Sequence, residues 1–297
     1  MRGRRFLRRF ARHRLALASA VLLALLTLAA VAAPLVEAAL GVDQTAVSLL
    51  DRFAPPSAEH PLGTDELGRD LLVRLLYGGR VSLFVGVAAA LAAALIGTGV
   101  GLLAGFFGGR TDALLMRITD GMIALPLLPL LIVLAAVDLT RLGVPASWAG
   151  AEDASLLRIV ALVALFGWTT VARLVRGATL SARRRDYVLA AVALGAGSRR
   201  IMLAHILPNV AAPAVVATTL TVGNVILLES VLSFLGLGIQ PPLPSWGNML
   251  TGAQDLVTTA PWLAVWPGLL IFVTVIAVNL LGDGLQDALD PRTLGRA

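Results

Sequence analysis

Two side chains are missing from this 297-residue chain altogether: it has no cysteine and no lysine. Without cysteine there can be no disulfide and no thiolate metal ligand. Without lysine there can be no Walker A loop, because that loop places a lysine on the nucleotide phosphates. The chain is therefore not itself a P-loop ATPase. Histidine is scarce too: His13, His60 and His205 are scattered, and no carboxylate cluster stands beside any two of them. A metal site is not expected. Charged residues make up only 14% of positions and hydrophobic ones 58%, against about a quarter and about half in soluble domains. The net charge of +6 rests on 24 arginines, whose distribution suits a membrane better than nucleic acid.

A membrane-crossing helix needs about 20 apolar residues. The first such run is Leu15–Val36, behind an arginine-rich leader with small residues near Ala33. That resembles a secretory signal, but 22 residues exceed the about 7–15 of a cleaved apolar region, so a retained anchor is expected. Further spans are predicted at Val81–Phe107, Ile118–Val137, Leu156–Val171, Val210–Phe234 and Leu263–Leu281. The expected fold is an all-α polytopic membrane protein with six spans. With both termini in the cytoplasm, the cytoplasmic segments carry 18 arginines and the outer ones six (Arg52, Arg69, Arg74, Arg80, Arg141 and Arg158). Positively charged loops stay inside. The expected parts are a leader (1–14), an anchor (15–36), an extracytoplasmic segment (37–80), a five-helix core (81–285) containing a cytoplasmic loop (172–209), and a cytoplasmic tail (286–297).

Within the outer segment, Thr64 is a candidate N-cap followed by Asp65 and Glu66 in a first turn. Leu67, Leu71, Leu72, Leu75 and Leu76 then line one face opposite Arg69, Asp70 and Arg74, and Gly78-Gly79 is expected to stop the helix. Such a helix can lie on the bilayer or meet an extracytoplasmic partner. In the second span Gly97, Gly101 and Gly105 recur every four residues, a spacing that lets another backbone approach closely, in this subunit or another. Pro126 and Pro129 interrupt the third span and are both expected to kink it. Glu229 is the acid deepest in an apolar run, towards the outer end of its span. It is a candidate for the transport pathway or gate, along with Asn224 and Pro126. The competing reading makes Glu229, Asn224 and Asn279 hydrogen-bonding glue between helices.

The stretch Asp186–Pro208, DYVLAAVALGAGSRRIMLAHILP, joins two spans yet is rich in helix-forming residues. Asp186 is a candidate cap for a helix through Tyr187, Ala190 and Ala191 that Gly195 breaks. Small residues at Ala190, Ala191 and Gly195 would leave a slim helix able to enter a groove on another protein. Arg183, Arg184, Arg185, Arg199 and Arg200 flank it and can meet acids there or anionic lipid. An elbow held at the interface by snorkelling arginines is the plainer alternative.

This stretch resembles the EAA-loop signature of ATP-binding-cassette importer permeases: E-A-A, three residues, Gly, nine residues, then I-x-L-P. Ala190, Ala191, Gly195, Leu207 and Pro208 fall on the pattern, while Leu189 stands at the Glu position and His205 at the Ile position. HPLGTDELGRD (60–70), LLAGFFGG (102–109), ESVLSFLGLGIQPPLPSWG (229–247) and NLLGDGLQDALDPR (279–292) are similar to the dipeptide/oligopeptide/nickel branch of these permeases. Within that branch the chain looks like the second, C-type subunit. The resemblance implies a type I importer permease fold. Asp186, Tyr187, Ala190, Ala191, Gly195, Ala196, Arg199, His205, Leu207 and Pro208 would then belong to the loop coupling the membrane domain to ATPases. It further implies a second homologous permease, two ATPase subunits and an extracytoplasmic binding protein, in a bacterial inner membrane. ATP and Mg would bind the partner subunits and no cofactor this chain. An ion-coupled transporter, or a nickel or glutathione importer of the same family, is the alternative.

Overall fold

The computed structural model describes residues 10–11, 13–143, 145–149 and 153–289. The arginines before residue 10, Arg12, Arg292 and Arg296 lie outside them, so most of the leader and most of the tail do too. Among the described residues, nine helices have eight or more residues and are labelled in chain order. They are α1 (Arg14–Val31), α2 (Ala33–Leu40), α3 (Leu71–Phe107), α4 (Gly109–Ala124), α5 (Leu127–Ala136), α6 (Ala154–Ala182), α7 (Asp186–Ala193), α8 (Leu207–Phe234) and α9 (Trp262–Leu289). No strand occurs among the described residues. Among the described residues five helices are long and apolar enough to cross a membrane, and α4 with α5 makes a sixth if that bent pair is one span. The expectation of an all-α, multi-span chain holds.

The centre of the bundle is the pair α3 and α6, which run parallel. A Cβ on Gly97 would lie 2.5 Å from the Trp168 carbonyl oxygen, one on Gly101 2.5 Å from that of Ala172, and one on Gly105 2.7 Å from the Thr179 Cβ. The three glycines therefore let the two backbones touch within one subunit. On its other side α3 meets α8, where Gly86 faces Ile226 and Val222. Helix α9 packs along α8, with Gly282 against Leu220 and Thr219. Helix α1 closes on α9 at Gly284–Ala16, and His13 stands 3.7 Å from Asp287. Outward-facing residues such as Leu25, Leu91, Leu95 and Phe272 are exposed and apolar, as a lipid-facing surface requires.

The segment 60–80 departs from expectation. Helix α3 starts at Leu71, capped by Asp70, whose Oδ1 accepts from Val73 N at 2.8 Å. Residues 64–70 form a closed loop instead, with Thr64 and Asp70 paired as a β-bridge. Thr64 cannot cap a helix because its hydroxyl accepts from Ala54 N and donates to the Asp51 carbonyl. Gly68, at φ +72°, turns the loop and abuts the Ser48 carbonyl, where a side chain has no room. Gly78-Gly79 does not stop the helix either. The pair is a flat seat for the Trp246 indole: Cβ atoms there would lie 3.3 and 3.0 Å from its ring, and Nε1 donates to the Leu75 carbonyl at 2.9 Å. The predicted amphipathic helix is thus a loop plus the first turns of α3, and Arg74, assigned to its polar face, is buried.

The third predicted span is broken. Leu125 is extended (ψ 138°), the conformation a following proline favours, and α4 and α5 meet at 83°. Pro126 makes this break. Pro129 does not kink the chain: it sits in the first turn of α5, where no helical N–H is needed.

Candidate coupling site

Helix α7 follows α6 after a three-residue turn. Its N-cap is Arg185, which makes no side-chain cap, and Asp186 is the first helical residue. Asp186 therefore acts on the helix dipole and is not the cap the sequence suggested. The far end is a Schellman motif: Ala196 N donates to the Ala191 carbonyl at 3.0 Å and Gly195 N to that of Val192 at 2.9 Å. Gly195 carries φ +78°, so glycine is required here by conformation rather than by crowding, since a Cβ would meet nothing within 4 Å.

The chain then climbs through Ser198–Arg200 and a π-helical stretch, Ile201–Ile206, into α8. Leu207 N bonds the Met202 carbonyl, five residues back. In an α-helix the Pro208 ring would clash with the carbonyl of Ala204, and the wider turn just before it relieves that contact. The His205 carbonyl is taken by Asn209 Nδ2 at 2.7 Å.

One face of this segment is fixed to the bundle. Val188, Ile201 and Ile206 are buried together with Leu102, Val171, Val175 and Val210, and Ala196 and Leu207 pack against them. Ala191 is on the same face, only 7% exposed; it was expected to help form the docking surface and instead faces its own subunit. Ala190 is exposed. The outward face also carries Tyr187, Leu189 (55% exposed), Val192 and Leu194 (88%). Val192 and Leu194 were missed, although apolar residues inside an arginine-flanked connector are the available signal.

Three arginines of the region serve the subunit itself. Arg183 Nη1 donates to the carbonyls of Gly105 (3.2 Å) and Phe106 (2.9 Å), capping α3. Arg176 grips Asp112 with Nε and Nη2, and Arg173 pairs with Asp120, so α4 is tied to α6. Arg184, Arg185, Arg199 and Arg200 have no ion-pair partner among the described residues. Arg183 thus leaves the group of arginines available for another chain.

The segment thus joins a face anchored to the bundle with an apolar outer face flanked by arginines that have no ion-pair partner among the described residues. Residues 97–295 match the family model described as "Binding-protein-dependent transport system inner membrane component". The chain belongs to this family. Residues 2–56 match the "N-terminal TM domain of oligopeptide transport permease C". The oligopeptide transport system permease protein OppC of Bacillus subtilis (strain 168) is 40% identical over 284 residues, covering 96% of this chain and 88% of that protein. The dipeptide transport system permease protein DppC of the same organism is 42% identical over 286 residues (96% and 84%). The glutathione transport system permease protein GsiD of Pectobacterium atrosepticum is 43% identical over 237 residues (80% and 74%). The chain is therefore a multi-pass inner-membrane permease, a transport subunit of a binding-protein-dependent ABC importer and not an enzyme, whose partners include an ATPase and a substrate-binding protein.

The permease buries Glu229 completely. Its Oε2 accepts from Ser82 on α3 at 3.2 Å and its Oε1 from Ser233 at 2.7 Å. Each serine continues inward: Trp246 N donates to the Ser82 hydroxyl (3.2 Å) and Ile239 N to that of Ser233 (3.0 Å). Glu229 thereby joins α3, α8 and the loop 236–250. Asn279 bonds the Val275 carbonyl on its own helix at 3.0 Å. Asn224 is exposed on α8, and its side chain has no hydrogen-bond partner among the described residues. Pro126 is exposed at the α4–α5 break. Of the proposed pathway residues, Glu229 is buried while Asn224 and Pro126 are exposed.

Proposed function

We propose that this permease is the C-type membrane subunit of an ATP-driven importer of di- or oligopeptides, and that α7 is its coupling helix. The observation that carries the reading is the division of α7 into a face anchored by Val188 and Ala191 and an exposed face of Tyr187, Leu189, Val192 and Leu194. A helix so held transmits a push from outside to the first turns of α8 and the ends of α3 and α6. Leu189 stands where the loop signature carries Glu, so docking here rests on apolar burial, with Arg184, Arg185, Arg199 and Arg200 to meet acids at the rim. The chain has no lysine for a Walker A loop, so in this reading ATP and Mg belong to two cytoplasmic ATPase subunits. A second, homologous permease completes the pathway, a binding protein delivers substrate from outside, and lipid covers the apolar flanks. Peptide is the substrate class that the names of two of the relatives support; the glutathione relative argues for a small peptide-like solute over a metal chelate.

Leu194→Asp and Leu189→Asp place a charge on the outer face without touching the anchored one. Reconstituted with its partners, either variant is expected to insert and to bind the second permease, but to lower binding-protein-stimulated ATP hydrolysis by at least about tenfold, the scale of an interface hot spot. Undiminished stimulation in an assembled Leu194→Asp complex would sink the coupling assignment.

A further inference from the structure

Two sequence stretches that the coupling reading leaves unused, 60–70 and 229–247, come together at the other end of the bundle. They enclose a cavity of about 260 Å³ lined by Asp65, Glu66, Arg69 and Arg74 on one side and by Ser233, Ile239, Gln240 and Leu243 on the other. Asp65 is fully committed. Its Oδ1 accepts from the backbone N–H groups of Leu67 (2.9 Å) and Arg69 (3.0 Å), and its Oδ2 from Arg69 Nε (2.8 Å), with Arg74 Nε 3.3 Å away. Those contacts fill the four acceptor positions of a carboxylate. Arg69 also faces Glu66, at 3.6 Å.

Arg74 is different. Its side chain is 9% exposed, it lines the cavity, and its two terminal nitrogens have no acceptor among the described residues. These donors open onto the cavity, and a planar two-oxygen anion is the group that matches their fork. Across the cavity, Gln240 spends its amide nitrogen on the carbonyls of Gly236 (3.0 Å) and Gly238 (3.2 Å). Its amide oxygen is left without a donor. Leu71, Ile239, Leu243 and Leu263 supply apolar wall.

We propose that this cavity binds the free carboxylate terminus of a peptide. Arg74 takes the carboxylate, the Gln240 oxygen accepts the adjoining peptide N–H, and the last side chain lies on the apolar wall. A phosphate suits it less, since its oxygens would face the Gln240 oxygen and apolar wall. The inference rests on the peptide-importer reading and assigns that importer a substrate-terminus site on the permease itself, at its outer mouth.

The test uses the assembled importer in nanodiscs without its binding protein. Saturation-transfer NMR compares trialanine with trialanine carrying a C-terminal amide. Wild type is expected to bind the free acid at least about tenfold more tightly than the amide, the loss that accompanies removal of a charge-assisted contact. Arg74→Gln should abolish the difference. Gln240→Trp, which leaves the Asp65 ion pairs untouched and fills an exposed loop position, should block both ligands and keeps the test valid if Arg74→Gln fails to assemble. Glu66→Gln should retain the preference. Equal binding of acid and amide, or binding untouched by Gln240→Trp, overturns the site. So does an Arg74→Gln complex that binds trialanine normally but loses affinity for the binding protein, since an acidic side chain of that protein would then be the occupant. Binding-protein-stimulated ATPase activity in wild type, measured in parallel, separates this failure from failure of the importer reading.

Discussion

A Cβ atom decides most at the glycines of α3. At Gly101 the added atom would sit 2.5 Å from the Ala172 carbonyl oxygen and 2.9 Å from Arg176 N, both backbone, so no side chain can swing aside. Gly101→Val is expected to cost about 1–3 kcal/mol by overpacking and to lower the unfolding midpoint of the purified complex. Gly99→Ala, two residues away with nothing within 4 Å, should leave it unchanged and serves as the matched control. The spacing of these glycines was legible in the sequence, and the parallel partner α6 was not, because small residues every four positions say only that some backbone comes close. Glu229 shows the same limit. Its burial in an apolar run could be read directly, but Ser82, which satisfies it, stands 147 positions earlier in the chain.

Elements begin and end partly for local reasons and partly for distant ones. The break at Leu125–Pro126 is local, and the residue order alone announces it. Pro126→Ala restores the missing N–H and releases Leu125 from its extended conformation, so α4 should run on into α5. The straight path from residue 117 to residue 133 is about 24 Å along one helix axis but about 18 Å with the observed bend of 83°, at about 1.5 Å per residue. Spin labels on Arg117→Cys and Val133→Cys report the difference in an otherwise cysteine-free chain. A lengthening of several ångströms is expected on Pro126→Ala; an unchanged distance would mean that packing, not the proline, sets the angle. The continuation of α3 through Gly78-Gly79 is the opposite case. Glycine pairs end helices in sequence reasoning, and here Trp246 covers them from a loop far along the chain. The orientation of α7 was hidden for a third reason: eight residues carry too little periodicity to tell which alanine faces inward.

At the scale of the whole molecule, the helix directions fix two ends. His13, Asp287 and the α7 segment lie at one, while the loop 60–70, the start of α3 and the loop after α8 lie at the other. The unpaired arginines near α7 put positive charge at the first end, and by the rule that such segments stay inside that end is expected in the cytoplasm. Because the chain has no cysteine, single cysteines test this without background. Ala58 and Ser198 are exposed at opposite ends. In right-side-out vesicles a membrane-impermeant maleimide should label Ala58→Cys at once and Ser198→Cys only after permeabilisation, and inverted vesicles should reverse the pattern. The consequence reaches both sites. With that pattern, α7 faces the compartment that holds ATP and the Arg74 cavity faces the side from which a binding protein releases substrate. The opposite pattern would separate α7 from any ATPase and would refute both assignments together.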